Sequence, residues 1–146
     1  MRVTVFSSQE YDQTFLLDAC PKDISFDFQD AKLNAQTAIL AKGSDAVCVF
    51  VNDCVDKAVI DQLASFNIKH VALRCAGYNN VDIDYAKQSG LLVSRVPAYS
   101  PQAVAEHTIA LIMSLNRKLH KAYIRVKEGN FDLNGLLGFN LCDKTV

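Results

Sequence analysis

Three short segments hold side chains able to do chemistry: Val51-Asn52-Asp53, Cys75-Ala76-Gly77-Tyr78-Asn79-Asn80 and Pro97-Ala98-Tyr99-Ser100. Each follows an apolar, strand-like run, and in open α/β sheets ligands sit outside the carboxyl ends of the strands. The three segments are therefore expected along one edge. Taken singly they say little, because Gly77 can be only a turn residue and Tyr99 a half-buried aromatic with a satisfied hydroxyl. His107 is tempting as a proton donor, since histidine is the side chain suited to that role. It lies inside a long helical stretch, however, and reads as structural; His70 and His120 have no partner pattern. The five cysteines, Cys20, Cys48, Cys54, Cys75 and Cys142, are odd in number and form no C-x-x-C pair. They predict neither a disulfide framework nor a zinc site, and no other metal site is expected. Cys48, within an apolar run, reads as a small core residue.

The elements that must position these segments follow from periodicity. Arg2 to Phe6 predicts a strand, and Ser7 with Glu10 has the spacing of a capping box opening a helix through about Cys20, where Pro21 stops it. Ile24 to Phe28 predicts a strand, Asn34 to Lys42 a helix ended by Gly43, and Ala46 to Val51 a strand apolar on both faces. A helix from about Asp56 to Phe66, a strand from His70 to Arg74, a helix from about Asp82 to Gln88 and a strand from Leu91 to Val96 complete five rounds. Such alternation implies a parallel sheet covered on both faces by helices. From Pro101, apolar residues Val104, Leu111, Ile112, Leu115, Leu119, Ala122 and Val126 recur at helical spacing. They predict one helix of about seven turns ending near Gly129. That length suits a bridge to a second body or a dimer contact. Asn130 to Asp143 is rich in Gly and Asn, and Lys144-Thr145-Val146 reads as the start of another strand.

Composition narrows the class. The 146 residues are half apolar, and 15 basic against 16 acidic side chains leave a net charge of -1. With no dense Lys/Arg cluster, neither nucleic acid nor an anionic membrane is an expected partner. No apolar run has membrane-spanning length and the N-terminus lacks the pattern of a signal peptide, so cytoplasmic localisation is expected.

Four segments then agree in order and spacing with a known family: Arg74 to Asp82, Arg95 to Pro101, Ala105-Glu106-His107-Thr108 and Leu115-Asn116-Arg117. Together they resemble the D-isomer-specific 2-hydroxyacid dehydrogenases, closest to the fermentative D-lactate type, with the first seventy residues similar mainly in pattern. The resemblance implies a flavodoxin-like parallel sheet over residues 1–100, the substrate (catalytic) domain. Residues 101–146 would then be an inter-domain helix and the beginning of a truncated Rossmann NAD-binding domain. In that family a strand and a Gly-x-Gly-x-x-Gly turn come next, followed much later by a catalytic Arg, Glu and His; this sequence contains none of these. The chain is thus expected to be the N-terminal part of an oxidoreductase that reduces pyruvate to D-lactate with NADH, and to be inactive alone.

The resemblance also implies site residues. The backbone amides of Ala76 and Gly77 would bind the substrate carboxylate, which a glycine-containing loop allows by close approach. The Tyr99 phenol would reach the substrate, and Phe50 would limit the size of its side chain. Val104 would pack beside the nicotinamide of NAD. Cys75, inside the loop, would be sensitive to thiol reagents if neighbouring N–H groups lowered its pKa. A homodimer built partly on the long helix is expected, because an amphipathic helix of that length at a domain junction offers more apolar face than one domain can cover. Two other readings stand beside this one: a glyoxylate- or phosphoglycerate-type dehydrogenase, and a stand-alone flavodoxin-like binding module without catalysis. A receiver-type module would want an acidic cluster after its first strand, where this chain has Ser7-Ser8-Gln9.

Overall fold

Five short runs, Arg2–Val5 (β1), Ser25–Phe28 (β2), Ala46–Val49 (β3), His70–Leu73 (β4) and Leu92–Arg95 (β5), pair in parallel in the order β2-β1-β3-β4-β5. This is the flavodoxin-like order expected. The computed structural model describes residues 1–145, which divide into two compact units, one from Met1 to Tyr99 and one beginning at Ser100.

In the first unit, strand alternation sends Val47, Val49, Val71 and Leu73 to one face. There they pack with Val59, Ile60 and Leu63 of helix α2 (Lys57–Ser65) and Ala86 of α3 (Ile83–Gln88). Each such fully buried aliphatic side chain contributes about 1.5–3 kcal/mol, so this layer holds the unit together. Asp56 and Asp82 start the two helices by accepting from the N–H groups of Val59 and Tyr85, both at 3.0 Å. The opposite face is thinner than the sequence predicts. Val3, Val5, Ala46 and Cys48 form a smaller cluster with Leu16 of helix α1 (Glu10–Ala19) and with Ile24, Phe26 and Phe28. Leu92 stays 62% exposed, and the His70 ring spends its Nε2 on Ser94 Oγ at 2.7 Å. Parallel sheets are normally covered on both sides, and among the described residues of this unit no helix packs on the β4–β5 end of this face.

Three predicted elements are corrected. The expected helix from Asn34 to Lys42 is a series of turns closing in a single 3-10 turn, Ala38–Ala41. The Asn34 side chain accepts from the N–H groups of Gln36 and Thr37, and Thr37 Oγ1 accepts from Asn34 N and donates to Lys32 O. Side-chain oxygens thus take the bonds a helix would need. The predicted capping box is also misplaced by two residues: Asp12, not Glu10, accepts from the N–H of Gln9 at 3.0 Å. Ser7 instead turns into the left-handed region at φ 50 and sends its hydroxyl to Asp53.

The third correction lies in the second unit, where the predicted seven-turn helix is two helices, α4 (Pro101–Asn116) and α5 (Leu119–Lys127). Lys118 adopts φ 54 between them. The cause lies elsewhere in sequence: Asn116 donates to Phe139 O at 2.8 Å and accepts from Phe139 N at 2.9 Å. This clamp holds the chain against the end of α4, and a Cβ on Gly138 would collide with the Asn116 carbonyl. We therefore expect Gly138→Ala to open the clamp and destabilise the protein by about 1–3 kcal/mol, the usual cost of overpacking. Urea denaturation checks this, and an unchanged midpoint would sink it. Lys144 and Thr145 form no strand, and Val146, which completes that expectation, lies outside the described residues.

Candidate functional site

At the carboxyl edge of the sheet, hydrogen bonds tie the first two segments together, while the third follows β5 with Val96 N bonded to Cys75 O. Asp53, 2% exposed, accepts from Ser7 Oγ at 2.7 Å, Leu33 N at 2.8 Å and Phe50 N at 2.6 Å. Asn80 uses both amide hydrogens on the same turn, donating to Phe50 O at 3.0 Å and Asp53 O at 2.9 Å. The loop that starts after β4 is thereby tied to the turn that follows β3. Phe50 sits just beyond β3, since that strand ends at Val49 rather than at Val51.

Within the loop the carbonyls and the amides are treated differently. Cys75 O accepts from Val96 N at 3.2 Å, Ala76 O from Arg95 Nη1 at 2.9 Å, and Gly77 O from Cys75 Sγ at 3.2 Å. The N–H groups of Ala76 and Gly77 donate to no acceptor among the described residues. Unspent amides beside bonded carbonyls are chemically able to donate to an anion. Gly77, with Val51, Asn79 and Asn80, lines a cavity of about 390 Å³.

A second and larger cavity, about 640 Å³, brings Phe50 and Tyr99 together with Tyr11, Phe15, Arg74 and Val96. Tyr99 is 72% exposed, so the half-buried aromatic with a satisfied hydroxyl does not describe it. Arg74 is the residue that sequence reasoning missed. Its guanidinium donates to Phe6 O at 2.9 Å and Ser7 O at 2.6 Å, pairs with Asp12 at 3.2 Å, and lies 4.9 Å from the centre of the Phe50 ring. With every edge of its fork engaged, Arg74 is a clamp that fixes α1 and Phe50 to the sheet edge. An arginine closing an apolar strand was the available signal, but its partners lie more than sixty residues away.

Cys75 is corrected. It is buried, and burial pushes its thiol above the ordinary range, with only a partial opposing pull from Arg74. Its Sγ–H is a donor that pins the Gly77 carbonyl. Because alkylation needs the thiolate and a raised pKa leaves less of it near neutral pH, Cys75 should react at least about tenfold more slowly than exposed Cys54 and Cys142. Peptide mapping after iodoacetamide labelling tests this; Cys75 labelled first would contradict it. Burial likewise raises the Cys48 thiol, as suits a core residue.

Val104 belongs to the second unit, on the first turn of α4, and is 61% exposed. His107 is exposed on the same helix. Among the described residues no group of three or more His, Cys, Asp or Glu is placed to hold a metal, and no helix is long and apolar enough to cross a membrane.

The sheet order β2-β1-β3-β4-β5, with the loop of residues 75–80 at its carboxyl edge, defines a flavodoxin-like α/β domain. The chain belongs to the D-isomer specific 2-hydroxyacid dehydrogenase family, whose catalytic domain matches residues 3–137. It is 47% identical to D-lactate dehydrogenase of Escherichia coli over 99% of its length, and 48% identical to a 2-hydroxyacid dehydrogenase homolog of Haemophilus influenzae over all of it. It spans 44% of each of these relatives. Among solved structures, the apo form of D-lactate dehydrogenase from Escherichia coli superposes with a TM-score of 0.86 at 46% identity, covering 97% of this chain and 45% of that one. D-Lactate dehydrogenase from Aquifex aeolicus, complexed with NAD and lactic acid, superposes at 0.77 with 31% identity, covering 95% and 41%.

Proposed function

We propose that this chain is the substrate-side part of an NAD-dependent dehydrogenase interconverting pyruvate and D-lactate. The observation that carries this reading is the loop after β4, whose carbonyls at Cys75, Ala76 and Gly77 are bonded while the amides of Ala76 and Gly77 remain unspent. Those two amides hold the substrate carboxylate. Phe50 bounds the space for the substrate's C3 group, which favours a methyl, and the exposed Tyr99 phenol turns to the bound acid. The names of the relatives support the same substrate pair, as does the neighbour that carries NAD and lactic acid.

Residues 1–100 act as the substrate domain and residues 101–146 as the link into the nucleotide-binding half. NAD, when bound, supplies the hydride that converts the 2-oxo group to a hydroxyl. The residues present fit one part of it, since exposed Val104 offers an apolar surface of the kind a nicotinamide face packs on. The six glycines of the sequence form no Gly-x-Gly-x-x-Gly turn, so the pyrophosphate contacts fall to residues outside this sequence. This chain's own work is to bind and orient the acid, and alone it should not turn over. The parent is a cytoplasmic homodimer in this reading, and the uncovered apolar residues of α4 and α5, such as Leu115 and Ile124, suit a contact between copies. A direct test incubates the full-length protein with pyruvate and NADH and resolves the lactate enantiomers. D-lactate with stoichiometric NADH oxidation supports the proposal; activity confined to glyoxylate would move the chain to another branch of the family.

A further inference from the structure

Arg95 ends β5 and is exposed, yet its guanidinium is held in place. It lies 5.2 Å from the centre of the Tyr78 ring and donates through Nη1 to Ala76 O at 2.9 Å. No acidic side chain among the described residues pairs with it. The Ala76 carbonyl and the Gly77 N–H belong to one planar trans peptide, so they point in opposite directions. Fixing the carbonyl toward Arg95 therefore fixes the Gly77 N–H away from it. A rotation of this peptide would swap the two groups and present a carbonyl oxygen where the receptor needs a donor.

We infer that Arg95 is a positioning residue for substrate binding: by anchoring the Ala76 carbonyl it keeps the Gly77 amide aimed at the substrate carboxylate. This rests on the proposed role of the Ala76–Gly77 amides. The Cys75 thiol, bonded to Gly77 O, holds the next peptide in the same way, and Tyr78 keeps the guanidinium over the loop. Arg95 acts through the backbone and does not itself touch the acid. Its exposure means that its removal leaves the core intact.

The two ways an arginine can aid an anion predict different mutant series. If it anchors a carbonyl, a neutral donor of similar reach retains part of the effect; if it only attracts charge, a neutral donor retains none. In the full-length enzyme, Arg95→Ala should raise the KM for pyruvate roughly threefold to tenfold with kcat little changed, as expected for loss of binding shared by ground and transition states. Arg95→Gln and Arg95→Lys should both lie between Ala and wild type, and the inhibition constant of oxamate should follow the same order. NADH binding, followed by its fluorescence, reports that each variant is folded. An unchanged KM in Arg95→Ala, or a Gln variant as impaired as Ala, would overturn the inference while leaving the dehydrogenase reading in place. A wild-type protein that reduces no 2-oxo acid would remove both.

Discussion

Gly77→Pro should raise the KM of the full-length enzyme for pyruvate by roughly 10- to 100-fold, because proline removes one of the two N–H groups proposed to bond the substrate carboxylate, and a hydrogen bond to a charged group is worth about 1.5–3 kcal/mol. The sequence alone suggests that Gly77 is there for its backbone freedom. The structure separates that from its amide: Gly77 is not in the left-handed region, and a Cβ added to it would meet nothing within 4 Å. Gly77→Ala should accordingly leave thermal stability unchanged and keep the amide. Any rise in its KM would report how closely the acid approaches the α-carbon. Steady-state kinetics on the pair decides the matter, and a proline variant within twofold of wild type would remove Gly77 from the carboxylate site.

The strands and the two loop-flanking helices were legible because their signals are local. Short apolar runs rich in β-branched residues mark β3 and β4, and Asp56 and Asp82 cap α2 and α3 by bonds to residues three positions on. What escaped the sequence depends on partners far along the chain. Nothing in Arg117-Lys118-Leu119 breaks a helix by propensity; the break follows from the bonds between Asn116 and Phe139. Likewise Asn34 to Lys42 has a helical apolar pattern, and hydroxyl and amide side chains override it. At the site, Gly77, Phe50 and Tyr99 stood out by residue type and resemblance. Arg74 and Arg95 did not, since a charged residue at a strand end usually faces solvent, and only the fold supplies the carbonyls they anchor. The reading of Cys75 erred for a related reason: burial outweighs the nearby positive charge of Arg74.

The largest stability effect should come from Asp53→Ala, which we expect to cost about 2–6 kcal/mol, the sum of leaving the buried Leu33 N–H and the part-buried Phe50 N–H without an acceptor at about 1–3 kcal/mol each. Asp53 is the point where the turn after β1, the segment entering the 3-10 turn and the turn after β3 converge, so no single neighbour can take over its bonds. Asn80 holds the carbonyls of Phe50 and Asp53 from the other side, which keeps the turn from relaxing toward water. Asp53→Asn should cost less than Ala, because one amide oxygen still accepts from Ser7 and Leu33 while its NH₂ faces the Phe50 N–H, donor against donor. That mismatch falls on Phe50, so the Asn variant should also relax the size limit proposed for Phe50 and raise kcat/KM for 2-oxobutanoate relative to pyruvate. Chemical denaturation of the full-length protein measures the first effect and a two-substrate comparison the second. An alanine variant within 0.5 kcal/mol of wild type, the range of ordinary surface substitutions, would show that Asp53 is not the tie assigned to it.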